Sequence, residues 1–494
     1  MHPGWRRCSV ARDRAILPRA ALRALRARSS VAYRQVRALL APCHPGASAP
    51  IFTTFVSARV PSPGLSRRGP TLVALLAALG AACRGEPEGD RPTPAQPTAI
   101  PPPAPQADER APSPDRTDRE DRAEAEWRRR LDADPRDVRA LLGLASVTRS
   151  RALRTESLAN HLETARLAGM AIEMAPGSVD GYLARAQASL SLHRFAAARD
   201  DADRARLLGA RSPDLLQLAA ELELQLGDPR KARTIFEGLL GADPSPASLV
   251  RAAHAAWLLG DLNRAEELSV GAEAAGSSER DGLVAAWLHV QRGVMLRQTG
   301  RLEQARESFR KALGRLTGYP PAIEFLAGIE HALGRAEESV RLYRSAVATD
   351  PSAEMLSALA DALHHQDPAG AAKLVEQADR GFEQQLSLFP EASWHHAAEH
   401  YLTHGRADLA AELARLDARA RPTAETLALL AEAELAAGNR AAALTATRRL
   451  LSRAERTARG FWVAARVLEA TEKAEAARHR KEALRLNPRI EALP

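Results

Sequence analysis

From Asp118 onward the apolar positions are spaced for helices and are cut at intervals by proline. A small residue, an aromatic and a third, more variable residue stand 12, 8 and 5 places before several of these prolines. Ala232, Phe236 and Leu239 precede Pro244; Ser339, Tyr343 and Ala346 precede Pro351; Ala378, Phe382 and Gln385 precede Pro390; Ala123 and Trp127 precede Pro135. Ala410 and Ala414 keep the spacing before Pro422 with a small central residue. Offsets of four and three put such residues on one face of a helix, and the proline ends it. Upstream, Gly227-Asp228, Gly260-Asp261, Gly300-Arg301, Gly334-Arg335, Gly405-Arg406 and Gly438-Asn439 separate this helix from the one before it, glycine accepting the positive φ of a helix end. The predicted element is a helical hairpin, used repeatedly.

The closing prolines at 135, 176, 244, 351, 390, 422 and 488 lie 41, 68, 107, 39, 32 and 66 residues apart, which divides into ten units. A unit of about 35 residues is close to the tetratricopeptide period. A preceding helix pattern is clearest at Trp394, Ala397, Ala398 and Tyr401. On these residues the segment 118–490 resembles the tetratricopeptide repeat (TPR) family. The resemblance implies an all-α fold: an α-solenoid of stacked antiparallel helix pairs, with one half-unit over 118–135 and ten pairs after it. Units are expected to be irregular at 136–176, near 276–284, at 314–321 and at 353–390, where Asp367-Pro368 interrupts the pattern.

Composition supports helices. Aromatics make up 4% of the 494 residues and alanine is abundant, which favours close-packed helices over sheets. The net charge of +8 tempts a nucleic-acid reading, but residues 1–70 hold 13 Arg against one acid, Asp13. The remainder balances at −4 with interleaved signs, as on solvated helix faces, so no nucleic-acid site is predicted.

The leader carries an address. Arg67-Arg68 precede the apolar run Leu72–Leu79, then Gly80-Ala81-Ala82-Cys83: a charged flank, a short apolar core and small residues before a break. The run is too short to span a bilayer. Residues 79–83 resemble the lipobox of bacterial lipoproteins, with Leu79 one place further from the cysteine than in that motif; this implies lipidation of Cys83. Ser66-Arg67-Arg68 also faintly resembles a twin-arginine signal, from which Gly69-Pro70 depart. Residues 66–83 are thus read as a lipoprotein-type signal and 84–117, rich in proline, as a disordered tether. Residues 1–65, Arg-rich and acid-poor, fit either a start placed upstream of the true one, near Val56, Val60 or Leu65, or an organelle transit peptide. Cys8, Cys43 and Cys83 are the three cysteines, so none follows Cys83 to form a disulfide.

No phosphate-binding Gly-rich loop, GxSxG elbow or CxxC is present. His396-Ala397-Ala398-Glu399-His400 matches the HxxEH of inverted zincins, in which two histidines bind zinc and the glutamate activates water. Trp394, Ala398 and Tyr401 place the same segment in the first helix of a repeat, and that reading is preferred. The histidines at 364, 365, 395 and 404 are then solvated or make polar contacts in the groove. By the family frame, groove-facing positions include Gln217, Glu221, His254, Trp257, Trp287, Val290, Arg297, His395 and Glu399. Trp257 and Trp287 are expected either to anchor a partner or to fill the space between repeats. Family members that clamp a C-terminal carboxylate present Lys and Asn in these slots, whereas here the pairs are Gln217/Glu221, Val250/His254, His395/Glu399 and Ala428/Glu432. The resulting expectation is a non-catalytic scaffold without a cofactor. It would bind a partner peptide or helix and be lipid-anchored to a bacterial envelope, facing the periplasm or exterior. A soluble cytosolic or organellar adaptor, and a metalloprotein using His396, Glu399 and His400, are the alternatives.

Overall fold

The computed structural model describes residues 114–242, 244–276 and 282–492. The leader, Cys83 and the tether up to residue 113 lie outside them. Among the described residues the chain forms 21 α-helices and no strand. A single helix, α1 (Pro114–Ala133), precedes ten hairpins. These are α2 (Val138–Thr155) with α3 (Leu158–Met174), α4 (Val179–Ser191) with α5 (Phe195–Leu207), and α6 (Pro213–Leu226) with α7 (Pro229–Ala242). Next come α8 (Pro246–Leu258) with α9 (Leu262–Ala275), α10 (Gly282–Gln298) with α11 (Leu302–Arg315), and α12 (Pro320–Ala332) with α13 (Ala336–Thr349). The last four are α14 (Ala353–Leu363) with α15 (Pro368–Leu388), α16 (Pro390–Thr403) with α17 (Ala407–Ala420), α18 (Ala424–Ala436) with α19 (Arg440–Leu451), and α20 (Ala458–Leu468) with α21 (Lys473–Leu486).

One expectation needs correction. Helix α1 begins at Pro114, inside the stretch read as tether. Proline is tolerated in a first helical turn because its missing N–H would be unpaired there anyway. The irregularity expected over 353–390 lies in the helix lengths: Asp367 Oδ1 accepts from Gly370 N at 2.8 Å and caps α15, whose 21 residues follow the 11 of α14. In the stretch 136–176, expected to be irregular, the α2–α3 turn places Glu156 at φ 52°, as the α4–α5 turn places His193 at φ 56°, where six other hairpins have glycine.

The glycine turns follow one pattern. Gly227, Gly334 and Gly438 have φ of 114°, 78° and 78°. The next N–H in each case reaches back to a glutamate carbonyl: Asp228 to Glu223 at 2.7 Å, Arg335 to Glu330 at 2.8 Å, Asn439 to Glu434 at 2.8 Å. This is the closing bond of a left-handed helix cap. The same glutamates tie neighbouring helices together through their side chains. Glu330, on α12, holds Arg306 of α11 at 2.6 Å and Arg335 at 3.1 Å; Glu434, on α18, holds both Arg415 nitrogens of α17 at 2.6 Å and Asn439 at 3.0 Å.

Inside each hairpin, alanine sets the spacing. Ala232, Ala305, Ala378, Ala410, Ala443 and Ala476, one per second helix, are fully buried, and Phe236, Phe309 and Phe382 one turn later fill the gap to the next unit. Each such ring contributes about 1.5–3 kcal/mol by leaving water. On α10, Gly293 lies so close to the Phe309 ring that a Cβ would overlap it. The even-numbered helices also pack on one another: α2 on α4, α4 on α6, α8 on α10, α10 on α12, α14 on α16, α16 on α18 and α18 on α20. Helices closer in one layer than in the other curve the array, so the even-numbered layer is the inner wall.

The curvature brings distant units together. Leu158 and Leu192, flanking the first two hairpin turns, share a buried apolar cluster with Phe389 and Ala392, and Arg194 pairs with Glu391 at 3.7 Å. Further on, Arg453 Nη2 donates to the Gly227 carbonyl at 2.6 Å, Arg456 N to the Leu258 carbonyl at 2.7 Å, and Asn487 Nδ2 to the Arg297 carbonyl at 3.3 Å. Leu262 packs against Phe461, Leu486 and Ile490. The hydrogen-bonded partners are up to 226 residues apart, roughly six and a half units of the tetratricopeptide period. The described solenoid therefore completes one coil and rests the hairpin turns of the first coil on the interhelix loops of the second.

Candidate functional site: the inner wall

Every groove residue expected from the sequence lies on an even-numbered helix, but they differ in access. Gln217 and Glu221 are on α6, His254 and Trp257 on α8, Trp287, Val290 and Arg297 on α10, His395 and Glu399 on α16. Gln217, Arg297 and Glu399 are half-buried, whereas Glu221, His254, Val290 and His395 are buried. The tryptophans are not exposed anchors: Trp257 and Trp287 are 9% and 2% accessible. Trp287 belongs to the central apolar cluster and Trp257 stacks on His254 with ring centres 5.8 Å apart. They fill the space between repeats, because alanine-rich neighbours leave room that only a large ring occupies.

What the wall presents is charge. Near α6, Arg251 Nε donates to Glu221 Oε1 at 2.8 Å with both side chains almost fully buried, and Gln217 turns its amide oxygen to the same guanidinium, 2.5 Å from Nη2. Burial pushes the Glu221 carboxyl up and the Arg251 guanidinium down, each opposed by its partner. Arg149, from α2, is lowered by burial to about 10 while Glu221 and Asp214 support its charge. Next to them, burial takes His254 down to about 4, so its ring is neutral at pH 7.

A second group of charges gathers around Arg297. Burial lowers its guanidinium, Arg459 of α20 adds to that, and Tyr343, Glu399 and Glu324 oppose it. Glu324, on α12, is pushed up to about 8 by burial and by Glu354 and Glu399, with Arg297 pulling the other way. Burial also works against Glu399, but His395, Arg459 and His396 outweigh it and hold the carboxyl at about 2. Arg459 donates to Glu399 at 3.1 Å and to Glu432 at 3.3 Å. These groups come from α10, α12, α13, α14, α16, α18 and α20, so charges on different units lie close enough to act on each other.

The HxxEH segment does not form a metal site. His400 is buried with both ring nitrogens engaged, Nδ1 at 2.7 Å from Ser357 Oγ and Nε2 at 2.8 Å from Asp379 Oδ1. Glu399 points instead to Arg459 and His395. Among the described residues no three His, Cys, Asp or Glu side chains are placed to share a metal ion. Of the two readings of these histidines, solvated or in polar contact, His395 takes the second, since it is buried. Its Nδ1 lies 2.8 Å from Asp417 Oδ2, which Arg421 also holds at 3.3 Å. Burial pushes His395 down, but Glu399, Asp417 and Glu425 together raise it above the ordinary histidine value against the opposition of Arg421.

Sequence reading missed Arg149, Arg251, Glu324, Asp417, Arg421 and Arg459. A signal for several of them exists: opposite charges recur at offsets near one or two units. Glu221 and Arg251 are 30 residues apart, Glu432 and Arg466 34, Glu399 and Arg459 60. On the other side of the hairpins a cavity of about 480 Å³ opens between Glu273, Leu288, His289, Lys311 and Arg315. Its charges largely answer one another, Glu273 lying 3.6 Å from both His289 and Lys311.

Residues 288–315, covering most of α10 and all of α11 with the Gly300 turn between them, match the family model described as Tetratricopeptide repeat. That hairpin is similar to a tetratricopeptide repeat. No curated protein sequence matches it. Among solved structures, the APC/C hetero-tetramer Cut9-Hcn1 is similar at 15% identity and TM-score 0.34, over 76% of this chain and 92% of that one. Yeast Tom70 is similar at 16% identity and TM-score 0.32, over 75% and 95%. A tetratricopeptide repeat protein from Parabacteroides merdae ATCC 43184 is similar at 20% identity and TM-score 0.30, over 49% and 92%. Overlaps this loose say nothing of what the chain binds.

Proposed function

We propose that this protein is a non-catalytic interaction scaffold, anchored by lipid at Cys83 in a bacterial cell envelope, that holds a segment of a partner protein along its inner wall. One observation carries the binding half: Gln217, Arg297, Glu324 and Glu399, from four separate first helices, are all half-buried on the wall and supply both signs of charge and an amide along a single face. A partner segment with alternating polar groups would meet several of them at once, and many weak contacts on a rigid array add up. The anchoring half rests on the flank, apolar run and cysteine of residues 66–83, joined to the array by a proline-rich stretch that sets its reach. None of the described helices is long and apolar enough to cross a membrane.

The test takes both halves. Cys83→Ser should abolish lipid labelling and move the protein from the membrane to the soluble fraction; unchanged fractionation would leave the soluble adaptor as the better reading. Crosslinking in intact envelopes should capture a partner that Gln217→Ala/Arg297→Ala loses. Undiminished capture by that double variant would remove the inner wall from consideration.

A further inference from the structure

Six hairpin turns of the array carry a glycine at positive φ in equivalent positions, and they fall into two sets. At Gly334, Gly405 and Gly438 an added Cβ would meet nothing within 4 Å. At Gly227, Gly260 and Gly300 it would meet the chain's own C-terminal region: the Arg453 guanidinium at 2.5 Å, Arg456 Cβ at 3.2 Å and Asn487 Oδ1 at 2.5 Å. Three consecutive turns of the first coil thus each receive one residue of the second. The receiving groups are backbone carbonyls, and two of the donors are oriented in advance. Glu455 Oε2 accepts from Arg453 Nε at 3.0 Å, and Asn487 Oδ1 accepts from Arg489 N at 2.8 Å. Glu455 is itself pinned through its other oxygen by Ala424 N at 3.1 Å.

We propose that Arg453, Arg456 and Asn487, seated on the turns at Gly227, Gly260 and Gly300, form a clasp that closes the side of the coil and has to part before a partner segment reaches the wall of α6, α8 and α10. The inference rests on the inner wall being the binding face. Size favours opening over permanent closure. Three hydrogen bonds and a small apolar contact around Leu262 are the scale of a local opening within a folded protein rather than of global unfolding. The hairpins themselves are held by far more buried surface, so the clasp parts before they do. Ion pairs across the interior, such as Arg459 with Glu399, lie within the second coil and survive the opening.

The clasp can be read without any partner. In the full chain with Cys8, Cys43 and Cys83 replaced by serine, Gln217→Cys places one thiol on the inner wall. Adding Gly260→Cys and Arg456→Cys puts two Cβ atoms within a few tenths of an ångström of disulfide range. A bulky polyethylene-glycol maleimide is then compared with N-ethylmaleimide at residue 217, each read by peptide mapping. The bulky reagent should label the disulfide-locked chain on the order of tenfold more slowly than the unlocked one. Arg453→Ala/Asn487→Ala should label faster than either, while the small reagent labels all three alike. Equal rates for the bulky reagent in locked and unlocked chains would overturn the clasp. If the double alanine variant unfolds, the locked and unlocked comparison still decides. A moving clasp with no partner captured would reject the binding reading and leave the clasp standing.

Discussion

Glu221→Gln is the sharpest perturbation of the inner wall. The side chain keeps its shape but loses the charge that Arg251 requires, and the side chains of the pair are 1% and 2% accessible, so water cannot replace it. The groups near the guanidinium include the neutral Gln217 amide, Asp214, whose carboxyl burial already pushes up, and the like charge of Arg149. Removing one partner of a buried pair costs roughly 3–5 kcal/mol, since the other charge stays buried without compensation. In a repeat array that cost is local. Hydrogen exchange should therefore show α6 to α9 opening in the variant while α16 to α19 keep their protection, and urea unfolding should begin earlier. The double variant Glu221→Leu/Arg251→Met removes both charges at similar volume and should recover most of the loss. A glutamine variant within about 0.5 kcal/mol of the parent, or a double variant as weak as the single one, would refute the reasoning.

Two further outcomes follow from the same coordinates. Gly293→Ala puts a methyl group against the Phe309 ring and should cost roughly 1–3 kcal/mol in thermal or urea unfolding, with Phe309→Leu in the same chain restoring part of it. Glu324 gives a pH signature. Its folded-state carboxyl is pushed up to about 8 from 4.5, so the unfolded chain releases the proton first, and stability falls as the pH rises from 4.5 through about 8. Glu324→Gln should flatten that part of the stability profile, and identical slopes for the two proteins would count against the burial of this carboxyl.

Much of the fold was legible because the repeat reports itself several times. The fully buried Ala232, Ala305 and Ala378 and the rings of Phe236, Phe309 and Phe382 recur at fixed distances from a proline or a glycine turn, so one unit read correctly corrects the next. Where a unit departs from the pattern the reading was weaker. Glu156 takes a positive φ without being glycine, and Pro114 opens a helix from within a stretch of proline-rich composition. The wall was half legible. Helical spacing assigned Gln217, Arg297 and Glu399 to first helices, but whether a tryptophan on such a helix is exposed depends on how large its neighbours are. Around Trp257 the neighbours are Ala252, Ala253, Ala255 and Ala256, so the ring is drawn into the packing. The clasp left no local signal, because it joins positions as far as 226 residues apart through backbone carbonyls that every residue possesses.

The buried charges raise a question that the hydrophobic pattern does not answer, since well-packed apolar residues of similar volume would hold the wall at least as well. Ten similar alanine-rich hairpins create a specific hazard: a helix that packs well on its neighbour packs nearly as well one unit further along. Charges placed at unit offsets remove that ambiguity. Glu221 meets Arg251 30 residues on, and Glu432 meets Arg466 34 residues on. Slipping the α6 hairpin by one unit would bury an unpaired charge, a far larger penalty than a lost methyl contact, while the more exposed Glu432–Arg466 pair would lose only its attraction. The glutamates beneath the glycine turns act in the same sense on second helices, Glu330 selecting Arg306 and Glu434 selecting Arg415. Register fixed in this way over the whole array is also what lets Gly227 and Arg453 arrive opposite each other, since an error of one unit anywhere between them would displace the clasp by the width of a hairpin.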